Sequence, residues 1–382
     1  MKLLVPILFF LSFLAIYFGA NAYIYVRGLQ ALPVYGSIRT TYIVVFIVLS
    51  LLYILSALGE RFLPSWAITL TQWIGSAWFI ALIYLFLIVL SFDLIRLADN
   101  HFHFLPDVVI LNKSRSKMFA FMLSISIVAI LFVIGYIKFN LPKTTTLNLN
   151  IEKKVENRKS LNILMVSDIH LGYLINKNYL KKYVTRINSF KPDIILIAGD
   201  IMDRSFKPIR EQKMGDELSR LSAPLGVYAV TGNHDFMSNP DTLCAYLEKH
   251  GIKMLRDTMV TVDSFLQVAG RDDRQNHNRL PLSQIIANKN NKLPLILIDH
   301  QPANLQEAED NGVDLQLSGH THNGQVWPLE YIVNQIYELG YGYKQKGSTH
   351  YYVSSGLGIW GPLFRIGTHS EFVNIKLNFI SK

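Results

Sequence analysis

Four long apolar runs crowd the first 140 residues: roughly Leu3 to Tyr25, Tyr42 to Leu58, Ile68 to Leu90 and Met118 to Ile137. Each reaches or approaches the roughly 20 residues that a helix needs to cross a bilayer, and charge is almost absent inside them. Hydrocarbon offers no water to satisfy backbone N–H and C=O groups, so runs of this length are constrained to be helices. The pattern predicts a membrane region of about four transmembrane helices over residues 1–141. Only Asp93 and Arg96, near one end of a run, break the apolar character, so the helices look like an anchor rather than an ion path.

The formal net charge of +9 is unevenly spread. Residues 1–150 hold ten Lys/Arg against four Asp/Glu, and the remainder holds 27 against 24. Most of the excess therefore flanks membrane helices, and the near balance of the second half argues against long nucleic acids, which recruit a basic stripe. The first and third connections carry six Lys/Arg (Arg27, Arg39, Arg96, Lys113, Arg115, Lys117), while the N-terminus and second connection carry Lys2 and Arg61. That bias puts the C-terminal domain on the extracytoplasmic side. Lys143, Lys153 and Lys154 pull the other way, and Ala20-Asn21-Ala22 resembles a signal-peptidase site whose cleavage would leave three helices and a cytoplasmic domain. The lone Cys244 forms no internal disulfide and leaves the compartment open.

Residues 141–160 read as a linker followed by an edge strand with alternating Leu147, Leu149 and Ile151, which sets a second domain at 142–382. Short Ile/Leu/Val-rich runs follow at Leu161–Val166, Ile194–Ala198, Val227–Thr231, Leu295–Ile298 and Leu315–Leu317, as expected of strands buried on both faces. Amphipathic helical patterns lie between them at Asn178–Ser189, Lys213–Leu221, Asp241–His250 and Ala303–Asn311. The fold class is an N-terminal α-helical transmembrane region plus an α/β C-terminal domain.

Just after those strands come five polar motifs: Asp168-Ile169-His170, Gly199-Asp200, Gly232-Asn233-His234-Asp235, Asp299-His300 and Gly319-His320-Thr321-His322. Open α/β sheets gather ligands at such strand ends. One Asp after a strand is commonly a turn residue. Five coinciding motifs, rich in Asp, Asn and His, instead have the layout of a metal-dependent hydrolase with room for two divalent ions.

With these motifs the sequence resembles the calcineurin-like metallophosphoesterases. It is similar more narrowly to their membrane-anchored bacterial branch, through Asp299-His300-Gln301-Pro302 and the run from Leu315 to Gln325. The resemblance implies a four-layer α/β/β/α sandwich. It implies that Asp168, His170, Asp200 and His322 bind one metal, with Asp200 bridging to a second held by Asn233, His300 and His320. Hard carboxylate oxygens and borderline imidazoles suit Mn²⁺, Zn²⁺ or Fe, and two ions about 4 Å apart can clamp the oxygens of an in-line displacement. By the same resemblance His234 meets the phosphate and assists the leaving oxygen, with Asp235 orienting its ring.

Several residues outside the motifs carry weaker expectations. Asp203 reads as support for the metal site or as a turn residue. Arg271, Arg274 and Arg365 are candidate phosphate contacts. Tyr341, Tyr343, Trp360 and Phe364, interleaved with Gly340–Gly342 and Gly356–Gly361, read as a final strand pair covering the sheet edge or as an aromatic rim. His101, His103, His250, His277, His350 and His369 read as exposed or structural.

The leading expectation is a membrane-anchored dinuclear phosphoesterase that cleaves a phosphomonoester, phosphodiester or pyrophosphate bond. Its substrate would be membrane- or envelope-associated, such as a lipid-linked phosphate, at a bacterial cytoplasmic membrane. Alternatives are a nucleotide or cyclic-nucleotide phosphodiesterase on the same scaffold, and a non-catalytic metal-containing membrane sensor.

Overall fold

The computed structural model describes residues 4–59, 62–156 and 158–380. Lys2, Leu3 and Arg61, invoked above, lie outside the described residues. Two compact units emerge, the second beginning at Gly135.

The first unit is helical. Its segments are α1 (Leu4–Ala31), α2 (Ser37–Gly59), α3 (Ser65–Phe102), a short α4 (Asp107–Leu111) and α5 (Lys113–Asn140), whose last residues belong to the second unit. Each of the four apolar runs falls in one of the long helices. Among the described residues, three helical stretches are long and apolar enough to cross a membrane: Ser37–Leu55, Ser65–Phe102 and Lys113–Asn140.

Polar side chains tie these helices together. Asn21, buried in α1, donates to the Tyr17 carbonyl at 2.8 Å, while its Oδ1 accepts from Ser50 Oγ of α2 at 2.7 Å and from Trp78 Nε1 of α3 at 3.1 Å. Buried among apolar side chains, such a node replaces the water an amide would otherwise need. The Ala20-Asn21-Ala22 triplet is thus mid-helix, with Asn21 at a three-helix contact. Asp93 pairs with Arg27 at 2.5 Å and with Arg96 at 3.8 Å.

Among the described residues, the second unit holds twelve strands: β1 (Lys143–Ile151), β2 (Ser160–Val166), β3 (Ile194–Ala198), β4 (Val227–Val230), β5 (Ile252–Met254), β6 (Thr258–Val262), β7 (Leu266–Gly270), β8 (Leu295–Ile298), β9 (Leu315–Ser318), β10 (Gly342–Lys346), β11 (Thr349–Val353) and β12 (Glu371–Phe379). One sheet runs β1-β12-β2-β3-β4-β5 and the other β10-β11-β9-β8-β7-β6. The pairs β2-β3-β4 and β7-β8-β9 are parallel, so both sheets deliver their central strand ends to one edge.

Strand alternation builds the layers. Ile163, Met165, Leu196, Val268, Ile296 and Leu317 share the core between the sheets. Leu164, Val166, Ile195 and Ile197 face outward onto Leu180, Val184 and Ile187 of the Lys177–Ser189 helix and onto Leu243 and Leu247. Leu295 and Leu297 pack on Leu282, Leu305 and Ala308 at the far side. This is the α/β/β/α order that the resemblance implies. Each such fully buried aliphatic side chain contributes about 1.5–3 kcal/mol relative to exposure.

The structure departs from the sequence pattern in places. The helix expected over Lys213–Leu221 is shortened to Gly215–Leu218, and a separate short helix, Lys207–Glu211, precedes it. Phe139, in the last turn of α5, is fully buried among Leu164, Leu180 and Val184.

Candidate metal centre

Five loops, following β2, β3, β4, β8 and β9, converge at that common edge. Asp168 follows β2, Asp200 follows β3, Asn233 and His234 follow β4, His300 follows β8, and His320 and His322 follow β9. The backbone is bent sharply there: Asp168, His170, Asp200, His320 and His322 all have φ between 50° and 72°. Left-handed backbone is uncommon for such residues and is retained where surrounding structure over-determines it, typically at functional sites.

Backbone N–H groups aim the carboxylates. His320 N donates to both Asp168 oxygens at 3.0 and 3.1 Å, and His234 N donates to Asp200 Oδ1 at 2.8 Å. The fit requires glycine beside the carboxylates, since a Cβ on Gly232 would lie 2.1 Å from Asp200 Oδ1, and one on Gly319 would lie 2.3 Å from Asp168 Oδ2.

Among the described residues, Asp168, His170 and His322 bring ligand atoms within 4.8 Å of one another, as do Asp200, His300 and His320. Asp200 Oδ2 reaches towards both sets, 3.7 Å from His170 Nε2 and 3.3 Å from His300 Nε2. Asn233 Oδ1 lies 3.2 Å from His300 Nε2 and 2.7 Å from His320 Nδ1. All seven residues singled out as ligands are thus brought together. His300 Nδ1 is tied to the Ala198 carbonyl at 2.7 Å, so Nδ1 carries a hydrogen and Nε2 faces the cleft; burial lowers the pKa of this ring, but Asp200 outweighs it and raises it well above the ordinary value.

The electrostatics suit cations. Burial opposes charge on Asp200, but His300, His170 and His234 outweigh it and hold this carboxyl below the usual carboxylate range. Burial, helped by neighbouring His300, takes His320 down to about 3. His322 is likewise driven well below the ordinary imidazole value by burial, then by His170 and Arg365. With their pKa values depressed, His320 and His322 offer nitrogen lone pairs beside carboxylates. His170 Nε2 and His322 Nε2 stand only 3.0 Å apart. Such a donor set fits divalent ions that accept nitrogen and oxygen.

His234 lies beside this cluster, its ring 4.6 Å from that of His170. Its Nδ1 is 2.6 Å from the Asp203 carbonyl oxygen and 3.4 Å from Asp203 Oδ1. The same Oδ1 is 3.6 Å from His170 Nδ1. Burial lowers the His234 pKa, but Asp203 and Asp200 reverse this and raise it above the ordinary value.

The Asp235 carboxylate finds its partners in the backbone rather than in the His234 ring. It accepts from the backbone N–H groups of Gly232 (2.8 Å), Met202 (2.9 Å) and Ile201 (3.4 Å), which pins two ligand loops together. Burial and the Asp200 charge push its pKa up to about 7. Ring orientation belongs to Asp203, which the sequence left undecided between support and turn.

The arginines are also reassigned. Arg365 is fully buried and donates to the carbonyls of His322 (3.0 Å), Ser355 (2.7 Å), Gly356 (3.2 Å) and Gly358 (2.7 Å), so it braces the His322 loop. Arg271 is held by Glu307 at 2.8 Å and Asp299 at 3.3 Å. With Arg274, Arg279, Asp299 and Gln301 it lines a cavity of about 400 Å³. Of the aromatic segment, Trp360 approaches His234 at 6.4 Å between ring centroids, and β10 with β11 forms an edge hairpin.

Residues 161–324, which contain all five motifs, match the family described as Calcineurin-like phosphoesterase. A metallophosphoesterase of Campylobacter jejuni is 28% identical over 376 residues, covering 94% of this chain and 95% of that protein. One from Aquifex aeolicus is 32% identical over 233 residues, 59% of this chain and 88% of its own length. A transmembrane protein with metallophosphoesterase domain from Danio rerio is 29% identical over 272 residues, covering 67% and 62% of the two chains. The chain belongs to the calcineurin-like phosphoesterase family, as a metallophosphoesterase with helices fit to cross a membrane.

Proposed function

We propose that this protein is a membrane-anchored, dinuclear metal-dependent phosphoesterase that hydrolyses a phosphate ester or pyrophosphate held at the membrane or envelope. The observation that carries the reading is the sharing of Asp200 between two ligand sets. Asp168, His170 and His322 would hold one ion, and Asn233, His300 and His320 the other, with Asp200 between them. Mn²⁺, Zn²⁺ and Fe match the donor types. When bound, two divalent ions supply Lewis acidity to phosphoryl oxygens and lower the pKa of water towards neutrality.

The residues of the chain do the rest. Asp203 fixes the His234 ring through Nδ1, which leaves Nε2 as the atom that reaches the substrate. The raised pKa keeps a proton there to give to the departing oxygen, a contribution of roughly 10²- to 10⁴-fold in rate. Asp235 and Arg365 hold the loops at the spacing this requires. On the same reading the domain faces the extracytoplasmic side of a bacterial cytoplasmic membrane, supported by the basic bias of the first and third connections.

The test is hydrolysis of bis-p-nitrophenyl phosphate and p-nitrophenyl phosphate by full-length protein in detergent, with Mn²⁺, Zn²⁺ or Mg²⁺ added. Metal-dependent cleavage lost in both Asp200→Asn and His234→Ala is expected. Metal-loaded, folded protein that cleaves neither ester, in detergent or in vesicles, would sink the reading.

A further inference from the structure

The Leu329–Ile336 helix leaves every residue at least partly exposed. Tyr331, Ile332 and Ile336 are 63%, 57% and 67% exposed, and Trp327 just before them is 46% exposed. Ile332 and Ile336 are one helical turn apart, so they share a face. Apolar side chains clustered this way on a surface mark an interaction site.

The helix is bounded at both ends by the metal cleft. It starts shortly after the turn His322–Gly324, and the ring of Tyr337 at its other end lies 6.0 Å from that of His320. Gln325 Nε2 donates to the Trp360 carbonyl at 2.8 Å, which joins this segment to the half-exposed indole beside His234.

Its other neighbour is the end of α5. Trp327 N donates to the Ile366 carbonyl at 2.7 Å, and Arg365 N donates to the Gly135 carbonyl at 3.0 Å. The short 364–367 segment thus carries Trp327 on one side and the last turns of an apolar, membrane-length helix on the other. Along those turns Tyr136, Ile137 and Leu141 are 44%, 50% and 68% exposed, and Lys138 and Lys143 are interspersed. Trp and Tyr with flanking Lys are the residues that settle at headgroup level.

We propose that the Trp327–Ile336 face docks into the headgroup and acyl boundary of the bilayer that α5 crosses, so that the metal cleft opens on the membrane surface and receives a phosphate carried by a lipid headgroup. A helix of two turns is too small to bind a membrane unaided. Tethering through α5 makes the contact intramolecular and raises its effective concentration. The docking stands on the surface itself; what the cleft does to the lipid rests on the phosphoesterase reading above.

The experiment uses full-length protein with Cys244→Ser and Ile332→Cys, nitroxide-labelled and reconstituted in phosphatidylcholine/phosphatidylglycerol vesicles. Paramagnetic access is read with oxygen and with an aqueous nickel chelate, and hydrolysis of bis-p-nitrophenyl phosphate is measured on the same samples. The expected result is a label reached by oxygen and shielded from the chelate, with shielding lost when Ile336→Glu is added while hydrolysis of the soluble ester persists. A label open to the chelate in active protein overturns the docking and leaves the phosphoesterase standing. Shielding that vanishes at one protein per vesicle also overturns it, by identifying a second copy as the occupant. A shielded label in protein with no metal-dependent hydrolysis supports the docking and sinks the phosphoesterase reading instead.

Discussion

The imidazole of His234 is held by Asp203, whose backbone carbonyl lies 2.6 Å and whose carboxylate lies 3.4 Å from Nδ1. Asp235, adjacent in sequence, spends its carboxylate on three backbone N–H groups. The two aspartates therefore fail differently when altered. Asp203→Asn is expected to lower kcat by roughly 10- to 100-fold, the range seen when a partner behind a site residue is lost, with thermal stability nearly unchanged. Asp235→Ala leaves buried N–H groups unmet and is expected to cost about 1–3 kcal/mol of stability. Steady-state kinetics and thermal unfolding of the pair separate the roles; equal loss of stability in both would refute the assignment.

Because Asp200 Oδ2 stands between both ligand sets, Asp200→Asn should deplete both ions together. His322→Ala, which touches one set, should leave about half the metal. Elemental analysis of purified variants checks this, and retention of full metal by Asp200→Asn would count against a shared carboxylate.

Arg365→Met removes a buried cation that caps four carbonyls, one of them that of His322. Stability is expected to fall by about 3–5 kcal/mol, and metal affinity with it. Arg365→Lys should recover only part, since an ammonium lacks the planar fork. Denaturant titration with and without Mn²⁺ reads both effects.

An acid limit follows from Asp272. Burial opposes its charge, but Arg256, donating from Nε at 3.1 Å and Nη2 at 2.6 Å, lowers its pKa in the folded protein. A carboxyl with a depressed folded pKa contributes stability that is present above the unfolded value of about 3.9 and is lost as pH falls through the lower folded value. Stability should therefore drop below about pH 4, and the slope there should be shallower in Asp272→Asn. Identical slopes in the two proteins would exclude this pair as the source.

Strand ends were legible because buried parallel strands are short apolar runs, and the Asp, Asn and His that follow them stand out against turn residues. Ile194–Ala198 and Leu295–Ile298 match the structure residue for residue. What escaped depends on chain returns that no local pattern encodes. Asp203 meets His234 only because the loop after β3 folds back over the loop after β4. Arg365 sits in a Gly-rich stretch whose composition says nothing about the carbonyls it finds. The Leu329–Ile336 helix, only two turns long, was not among the elements the sequence pattern singled out.

Phe139 gives the last long helix a second role. It lies on the helix that ends the apolar region, yet its ring is fully buried in the catalytic unit, 5.4 Å from the Tyr179 ring. Emptying such an aromatic site costs about 3–5 kcal/mol, a large fraction of the stability of an ordinary domain. Cutting the chain after residue 141 would leave a weakened enzyme, so the last turn of the long apolar helix is also part of what keeps the active fold intact.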